Sequence, residues 1–302
     1  MEVRPDRRRF VGGVAAAALA TVLPAAGPAS AAVGPEGGIS GRLRALERAH
    51  AARLGVFARD AATGRTVLYR ADELFPLCST FKTVAVAAVL RDLDHDGTFL
   101  GRRIRYTHQE VEQSGYAPVT GLPQNLEDGM AVADLCAAAI THSDNAAANL
   151  LLRELGGPYA VTRFCRSIGD GVTRLDRWEP DLNSAEPARV RDTSSPRALG
   201  RTYTRLAVGD ALSRPDRERL TGWLLGNTTG ANRLRAGLPK DWKVAEKTGS
   251  GRYGTANDVG ITWPPGRGPV TMAVLSTRNE PAASADEPLI AETAALLASA
   301  LM

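Results

Sequence analysis

Two kinds of hydrophobic spacing divide the chain. Over about residues 80–225 apolar positions recur with a helical period, in Ala- and Leu-rich segments such as 83–90, 135–140 and 146–152, with Gly and Pro punctuating the gaps. The ends differ. Two strand-like runs flank the turn Ala62-Thr63-Gly64, and residues 242–246, 257–263 and 269–277 alternate or are β-rich. A helix is expected at each extremity: Ser40 is placed to cap one carrying Leu43, Leu46 and Leu54, and residues 285–301 read as the other. Both termini therefore build one strand-bearing layer around a helical insert. The expected class is α+β, with one lobe from about residues 40–80 and 226–302 and a helical lobe from about 81–225. Residues 32–302 form one unit in this reading, since no repeat interrupts them and no low-complexity linker appears beyond the Gly/Ala/Ser-rich stretch over 25–41.

Composition sharpens this picture mainly at the start of the chain. With 302 residues, 44% hydrophobic and 23% charged, the sequence can bury a sizeable core, which argues against disordered and fibrous classes. Arg4, Arg7, Arg8 and Arg9 against Glu2 and Asp6 place half of the formal net charge of +4 in the first 31 residues. The remaining charges are interspersed, so no nucleic-acid partner is expected. Residues 1–31 read as a signal peptide: a basic start, an apolar run over 11–23, and a small-residue exit at Ala29-Ser30-Ala31. Arg7-Arg8-Arg9-Phe10-Val11 resembles a twin-arginine export signal. The mature protein is expected to be secreted and extracellular, with no membrane anchor after signal cleavage.

Several chemistries are disfavoured by spacing. Cys78, Cys136 and Cys165 are too few and irregular for a disulfide framework, and at most one bridge can form. Asp92-Leu93-Asp94-His95-Asp96-Gly97 looks like the start of a calcium loop, but its twelfth position is Arg103, where a bidentate Glu is needed. His50, His95, His108 and His142 lack zinc-ligand spacing. No metal or cofactor is expected.

Nucleophilic chemistry fits better. Ser79-Thr80-Phe81-Lys82 opens an apolar helical run, and residues three apart on a helix share a face, so the Lys82 ammonium can reach the Ser79 hydroxyl. A serine hydroxyl is weakly nucleophilic until a neighbour accepts its proton. Ser143-Asp144-Asn145 lies between two apolar segments, and Lys247-Thr248-Gly249 ends a strand-like run. Each tripeptide alone is a plausible turn or cap. Together, in this order, the three resemble the motif set of class A β-lactamases and penicillin-binding proteins. Arg177-Trp178-Glu179-Pro180-Asp181-Leu182-Asn183 resembles the class A signature that separates the two families, a Glu and an Asn four residues apart on the omega loop. The resemblance runs over about residues 54–301.

That resemblance implies an antiparallel five-stranded sheet flanked by helices, plus an all-helical domain. It also implies hydrolysis of the β-lactam amide of penicillins, with some cephalosporin activity, giving antibiotic resistance. Ser79 forms the acyl-enzyme, Lys82 or Glu179 takes its proton, Ser143 returns a proton to the lactam nitrogen, and Glu179 with Asn183 directs the catalytic water in deacylation. Asn145 orients Lys82 and the substrate amide, Lys247, Thr248 and Gly249 line the substrate, and backbone N–H groups of Ser79 and Ser250 form an oxyanion hole. Arg177 and Asp192 match the family pair that closes the loop.

Some positions depart from the pattern. Ala256 stands where many relatives carry the Arg that binds the substrate carboxylate, and Arg233 matches another position able to supply the guanidinium. Tyr116 resembles the aromatic lining the cleft mouth. Cys78 resembles a Cys bridged in some relatives, but Gly251 occupies the partner position. Rival readings are a D,D-peptidase and an acylated sensor domain. The implied partners are a β-lactam substrate and a catalytic water, and the implied state is a monomer.

Overall fold

The computed structural model describes residues 38–302, so the signal peptide expected over 1–31 lies outside the described residues. A five-stranded antiparallel sheet is formed by Arg53–Asp60 (β1), Thr66–Tyr69 (β2), Lys243–Gly251 (β3), Thr255–Trp263 (β4) and Val270–Thr277 (β5), in the order β2-β1-β5-β4-β3. Strands from both ends thus lie side by side, as the pattern required. The β1–β2 hairpin turns at residues 61–65, where the Asp60 carboxylate accepts the Ala62 N–H.

Alternation along the strands explains why both faces are covered. On β5, Val270, Met272 and Val274 join a cluster with Leu54, Val56 and Ala58 of β1. The helices Ile39–Ala49 (α1) and Glu287–Leu301 (α8) contribute Leu43, Leu289 and Leu297 to it. Ala273 and Leu275 point the other way, with Phe57, into the larger cluster that fills the helical side.

The helical side is organised around Phe81–Asp92 (α2), in which every residue from Phe81 to Leu90 is buried. A helix apolar all round belongs in a core, and burying such a run removes roughly 1.5–3 kcal/mol of unfavourable hydration per large side chain. Around it lie Val132–Thr141 (α3), Asn145–Leu155 (α4), Tyr159–Ser167 (α5), Pro196–Ala207 (α6) and Arg214–Leu225 (α7). Helix α6 packs directly on the sheet.

Two details differ from the sequence reading. Helix α1 begins at Ile39 with Gly38 at its N-cap, so Ser40 lies inside the helix. The helix stops at Ala49, where Ala51 turns left-handed, and Leu54 is a sheet residue. Leu54 continues the spacing of Leu43 and Leu46 only by coincidence of phase. Lys247-Thr248-Gly249 also lies within β3, which runs on to Gly251. All three cysteines are buried and unbridged, and burial pushes their thiols up, away from the reactive thiolate.

Candidate active site

The short 3-10 turn Cys78–Thr80 delivers Ser79 to the start of α2, one turn before Lys82. Lys82 is fully buried, yet its three protons meet three acceptors. Nζ donates to Asn145 Oδ1 at 2.6 Å and to the Ser143 carbonyl at 2.7 Å, and lies 3.0 Å from Glu179 Oε1. Burial pulls the Lys82 ammonium below its ordinary range, and the Glu179 carboxylate opposes that shift. The Ser79 hydroxyl donates to Glu179 Oε1 at 3.4 Å; among the described residues it makes no hydrogen bond to Lys82. The i, i+3 spacing therefore brings the two side chains to a common carboxylate.

In Ser143-Asp144-Asn145 each residue has its own task. Ser143 holds a left-handed φ of 58°, uncommon for a residue with a Cβ. Its Oγ accepts from Lys247 Nζ at 3.0 Å and lies 3.4 Å from Lys82 Nζ. Asp144 is structural: it caps α4 by accepting the Ala147 N–H at 2.8 Å, and also takes the N–H groups of Val119 and Thr120. Asn145 donates to the Ser114 carbonyl while its Oδ1 holds Lys82. The Asn145 N–H meets the Tyr116 carbonyl, which leaves the Tyr116 ring exposed beside the motif.

Glu179 sits on the loop between α5 and α6. Arg177 Nε donates to Asp192 Oδ2 at 2.6 Å, closing the loop, and Asp192 also accepts the backbone N–H groups of Asp176 and Arg177. Asn183 Nδ2 donates to Glu179 Oε2 at 2.5 Å, and the buried Asn183 Oδ1 has no partner among the described residues. Asn149 went unassigned in the sequence. It clamps the Glu179 backbone from α4, donating to its carbonyl at 2.9 Å and accepting its N–H at 3.0 Å. Its position one turn after Asn145, in an otherwise apolar run, was the available signal.

Strand β3 forms the opposite wall. A Cβ on Gly249 would stand 2.9 Å from the Leu77 carbonyl and 3.2 Å from the Ser79 nitrogen, so only glycine lets the strand approach the serine turn this closely. Asn257 on β4 ties the same turn down by donating to the Pro76 and Leu77 carbonyls. Lys247 is fully buried, and burial together with the charges of Lys82 and Arg233 holds it well below the ordinary lysine range. Thr248 Oγ1 is 2.5 Å from Thr229 Oγ1. Arg233 reaches in from the segment before the sheet. It donates to the Gly249 and Asn257 carbonyls at 2.9 and 2.8 Å, to Ser250 Oγ at 2.6 Å, and to Glu287 at 3.1 Å. The Glu287 partnership spans 54 positions and left no local trace in the sequence. A Cβ on Gly251 would lie 2.7 Å from Cys78 Sγ, so the two residues do face each other.

The structure thus brings Ser79, Lys82, Ser143, Asn145, Glu179, Asn183 and Lys247 together, with Thr248, Gly249, Ser250 and Arg233 along one side. Among the described residues no group of three or more His, Cys, Asp or Glu side chains is placed to hold a metal ion.

Residues 39–301 match the pattern of the "Beta-lactamase enzyme family". A "Beta-lactamase" of Streptomyces lavendulae is 64% identical over 300 residues, covering 99% of this chain and 98% of that one. The "Beta-lactamase" of Streptomyces albus G is 59% identical over 307 residues, covering 99% and 98%. The solved structure of the β-lactamase from Streptomyces albus G superposes with a TM-score of 0.87 at 63% identity, covering 87% of this chain and 99% of that one. A mutant of the last common ancestor of Gram-negative bacteria β-lactamase class A superposes with a TM-score of 0.83 at 51% identity, covering 87% and 98%.

Proposed function

The chain belongs to the class A β-lactamases and hydrolyses β-lactams, and on that premise we propose how its own residues divide the work. The observation that carries the reading is the shared carboxylate: Glu179 Oε1 lies 3.4 Å from Ser79 Oγ and 3.0 Å from Lys82 Nζ. An ammonium whose three protons are already taken by acceptors has no lone pair to offer as a base. Glu179, directly or through a water, therefore accepts the Ser79 proton as Oγ attacks the lactam carbonyl carbon. The N–H groups of Ser79 and Ser250 hold the resulting oxyanion.

Collapse of that intermediate breaks the C–N bond, and the nitrogen must receive a proton. Ser143 supplies it. Lys82, which contacts both Glu179 and Ser143, replaces the Ser143 proton and is itself replenished from Glu179. The acyl ester is then cleared by water. Glu179 takes one proton from it, the partnerless Asn183 Oδ1 accepts the other as a hydrogen bond, which sets the angle of attack, and as the acyl C–Oγ bond breaks Glu179 returns its proton to Ser79 Oγ.

Recognition falls to the sheet side, where Lys247 and Arg233 supply positive charge to the substrate carboxylate, Thr248 and Ser250 supply hydroxyls, and Tyr116 lines the mouth. Penicillins are the expected main substrates, with some cephalosporin turnover and resistance as the consequence. Residues 32–302 act as one catalytic unit, a reading supported by two apolar clusters sharing a single sheet, and a monomer remains the expectation from the family. The arginine-led sequence of residues 1–31 supports secretion, and no helix among the described residues is long and apolar enough to cross a membrane.

Intact-mass spectrometry with benzylpenicillin tests the division of labour. Wild type should show transient acylation with turnover, Glu179→Ala a persistent adduct, and Ser79→Ala none. A persistent adduct already in wild type would favour a peptidase or sensor instead.

A further inference from the structure

Behind the Lys247 strand two carboxyl groups share one buried site. Glu246 on β3 is opposite Gly260, and Asp258 on β4 is opposite Thr248, so the two side chains are diagonal neighbours on one face of the sheet. Both are completely buried, and the register sets their side chains next to each other between the same two strands. The backbone seals them in: a Cβ on Gly230 would fall 1.7 Å from Glu246 Oε1.

Each carboxyl uses one oxygen and leaves the other without a donor. Glu246 Oε1 accepts from Arg235 Nε at 2.6 Å and from Asn227 Nδ2 at 3.3 Å. Asp258 Oδ2 accepts the Leu234 N–H at 3.1 Å. Glu246 Oε2 and Asp258 Oδ1 have no partner among the described residues. Two such orphaned acceptors side by side are costly as anions, and a single proton between them satisfies both. The charged neighbours say which group holds it. Arg235 pairs with Glu246, while Asp258 has no ion pair with a cationic side chain among the described residues and accepts only the Leu234 N–H. Burial, reinforced by the adjacent Glu246 charge, raises the Asp258 carboxyl well above the ordinary range.

We propose that Asp258 is a protonated acid donating to the Glu246 carboxylate, and that this pair is a positioning device for Arg233. One oxygen of each carboxyl grips the chain immediately after Arg233, at Leu234 N and Arg235 Nε, while the other two oxygens share the proton. The guanidinium is thereby held against Gly249, Ser250 and Asn257 without a second anion beside it to compete with the substrate carboxylate. The positioning half of the proposal rests on the reading of Arg233 as a carboxylate-binding residue.

The test combines a spectrum with a conservative substitution. The infrared difference spectrum between wild type and Asp258→Asn at neutral pH should contain a buried carboxylic-acid C=O band, shifted by 13C-labelled aspartate. In wild type alone the labelling shift reports the same group should the variant not fold. The Asn amide can donate where the proton sits and accept from Leu234 N, so Asp258→Asn should keep KM for benzylpenicillin within about twofold. Asp258→Ala orphans both partners and should raise KM about tenfold with kcat little changed. That increase should not add to the one caused by Arg233→Ala. Absence of the acid band, or an Asn variant as impaired as the Ala variant, overturns the shared proton. Additive effects of Asp258→Ala and Arg233→Ala overturn the positioning role with the band intact. An unchanged KM in Arg233→Ala also removes that role, and traces the failure to the reading of Arg233.

Discussion

On the helical side of the site Lys82 is enclosed by three acceptors, one of them a carboxylate. On the sheet side the equally buried Lys247 meets, among the described residues, only the Ser143 hydroxyl, at 3.0 Å, and the Thr248 carbonyl, at 3.0 Å. The first cation is neutralised where it stands. The second has no carboxylate partner among the described residues, and Arg233, itself paired with Glu287, donates to Gly249 and Ser250 of the same strand. A closed, self-compensated cluster suits proton transfer, because its groups exchange protons among themselves at short range. A buried ammonium without a carboxylate partner suits recognition, since the missing anion can be the substrate. The contrast predicts that damage on the helical side falls on kcat and damage on the sheet side on KM.

The largest effect should come from breaking the compensated cluster. Lys82→Ala removes the proposed relay between Glu179 and Ser143 and strands a buried carboxylate; kcat for benzylpenicillin should fall about a thousandfold. The melting temperature should drop as well, because removing one partner of a buried pair costs about 3–5 kcal/mol. Steady-state kinetics and thermal unfolding check both parts. A variant that loses only affinity would erase the distinction between the two sides. Arg233→Ala is the counterpart on the sheet side. Loss of a charge-assisted bond worth about 1.5–3 kcal/mol should raise KM roughly 10- to 100-fold, with little change in kcat. A β-lactam lacking the carboxylate should be insensitive to the substitution, which kinetics with its methyl ester would reveal.

The two sides also differ in how far the sequence discloses them. Ser79 and Lys82 lie one helical turn apart, and Ser143, Asp144 and Asn145 are contiguous, so short-range spacing carries much of the helical side. Even there the sequence did not reveal that Asp144 also holds the backbone at Thr120, or that Asn149 holds the Glu179 backbone, because both roles depend on segments 24–30 residues away. On the sheet side the strands themselves were visible in the alternation of residues 257–263 and 269–277. Register was not. Nothing local pairs Arg233 with Glu287, or sets Glu246 beside Asp258, since those contacts arise from strand alignment and from packing of the chain ends. The misplaced start of α1 and the assignment of Leu54 to it have a similar origin. A helical period and a strand position coincide over one apolar residue, and only the left-handed turn at Ala51 decides between them.

A smaller effect, in pH, sharpens the comparison most directly. In the proposed recognition Lys247 must be charged to attract the substrate carboxylate, and its folded-state value lies well below the ordinary 10.5 because of burial and the nearby charges of Lys82 and Arg233. As pH rises through that lowered value the ammonium is lost, so KM should rise several-fold at a pH below that of a free lysine. The same shift acts oppositely on stability. A lysine whose folded value is depressed contributes stability that is present above its unfolded value and is lost as pH falls through the folded one, so deprotonation of Lys247 does not itself weaken the fold. An alkaline rise in KM without a parallel loss of melting temperature is therefore the signature of this group. Lys247→Arg, which stays charged throughout, should flatten that limb. A limb that survives the substitution would move the titration elsewhere and leave Lys247 no more exposed to pH than the compensated Lys82.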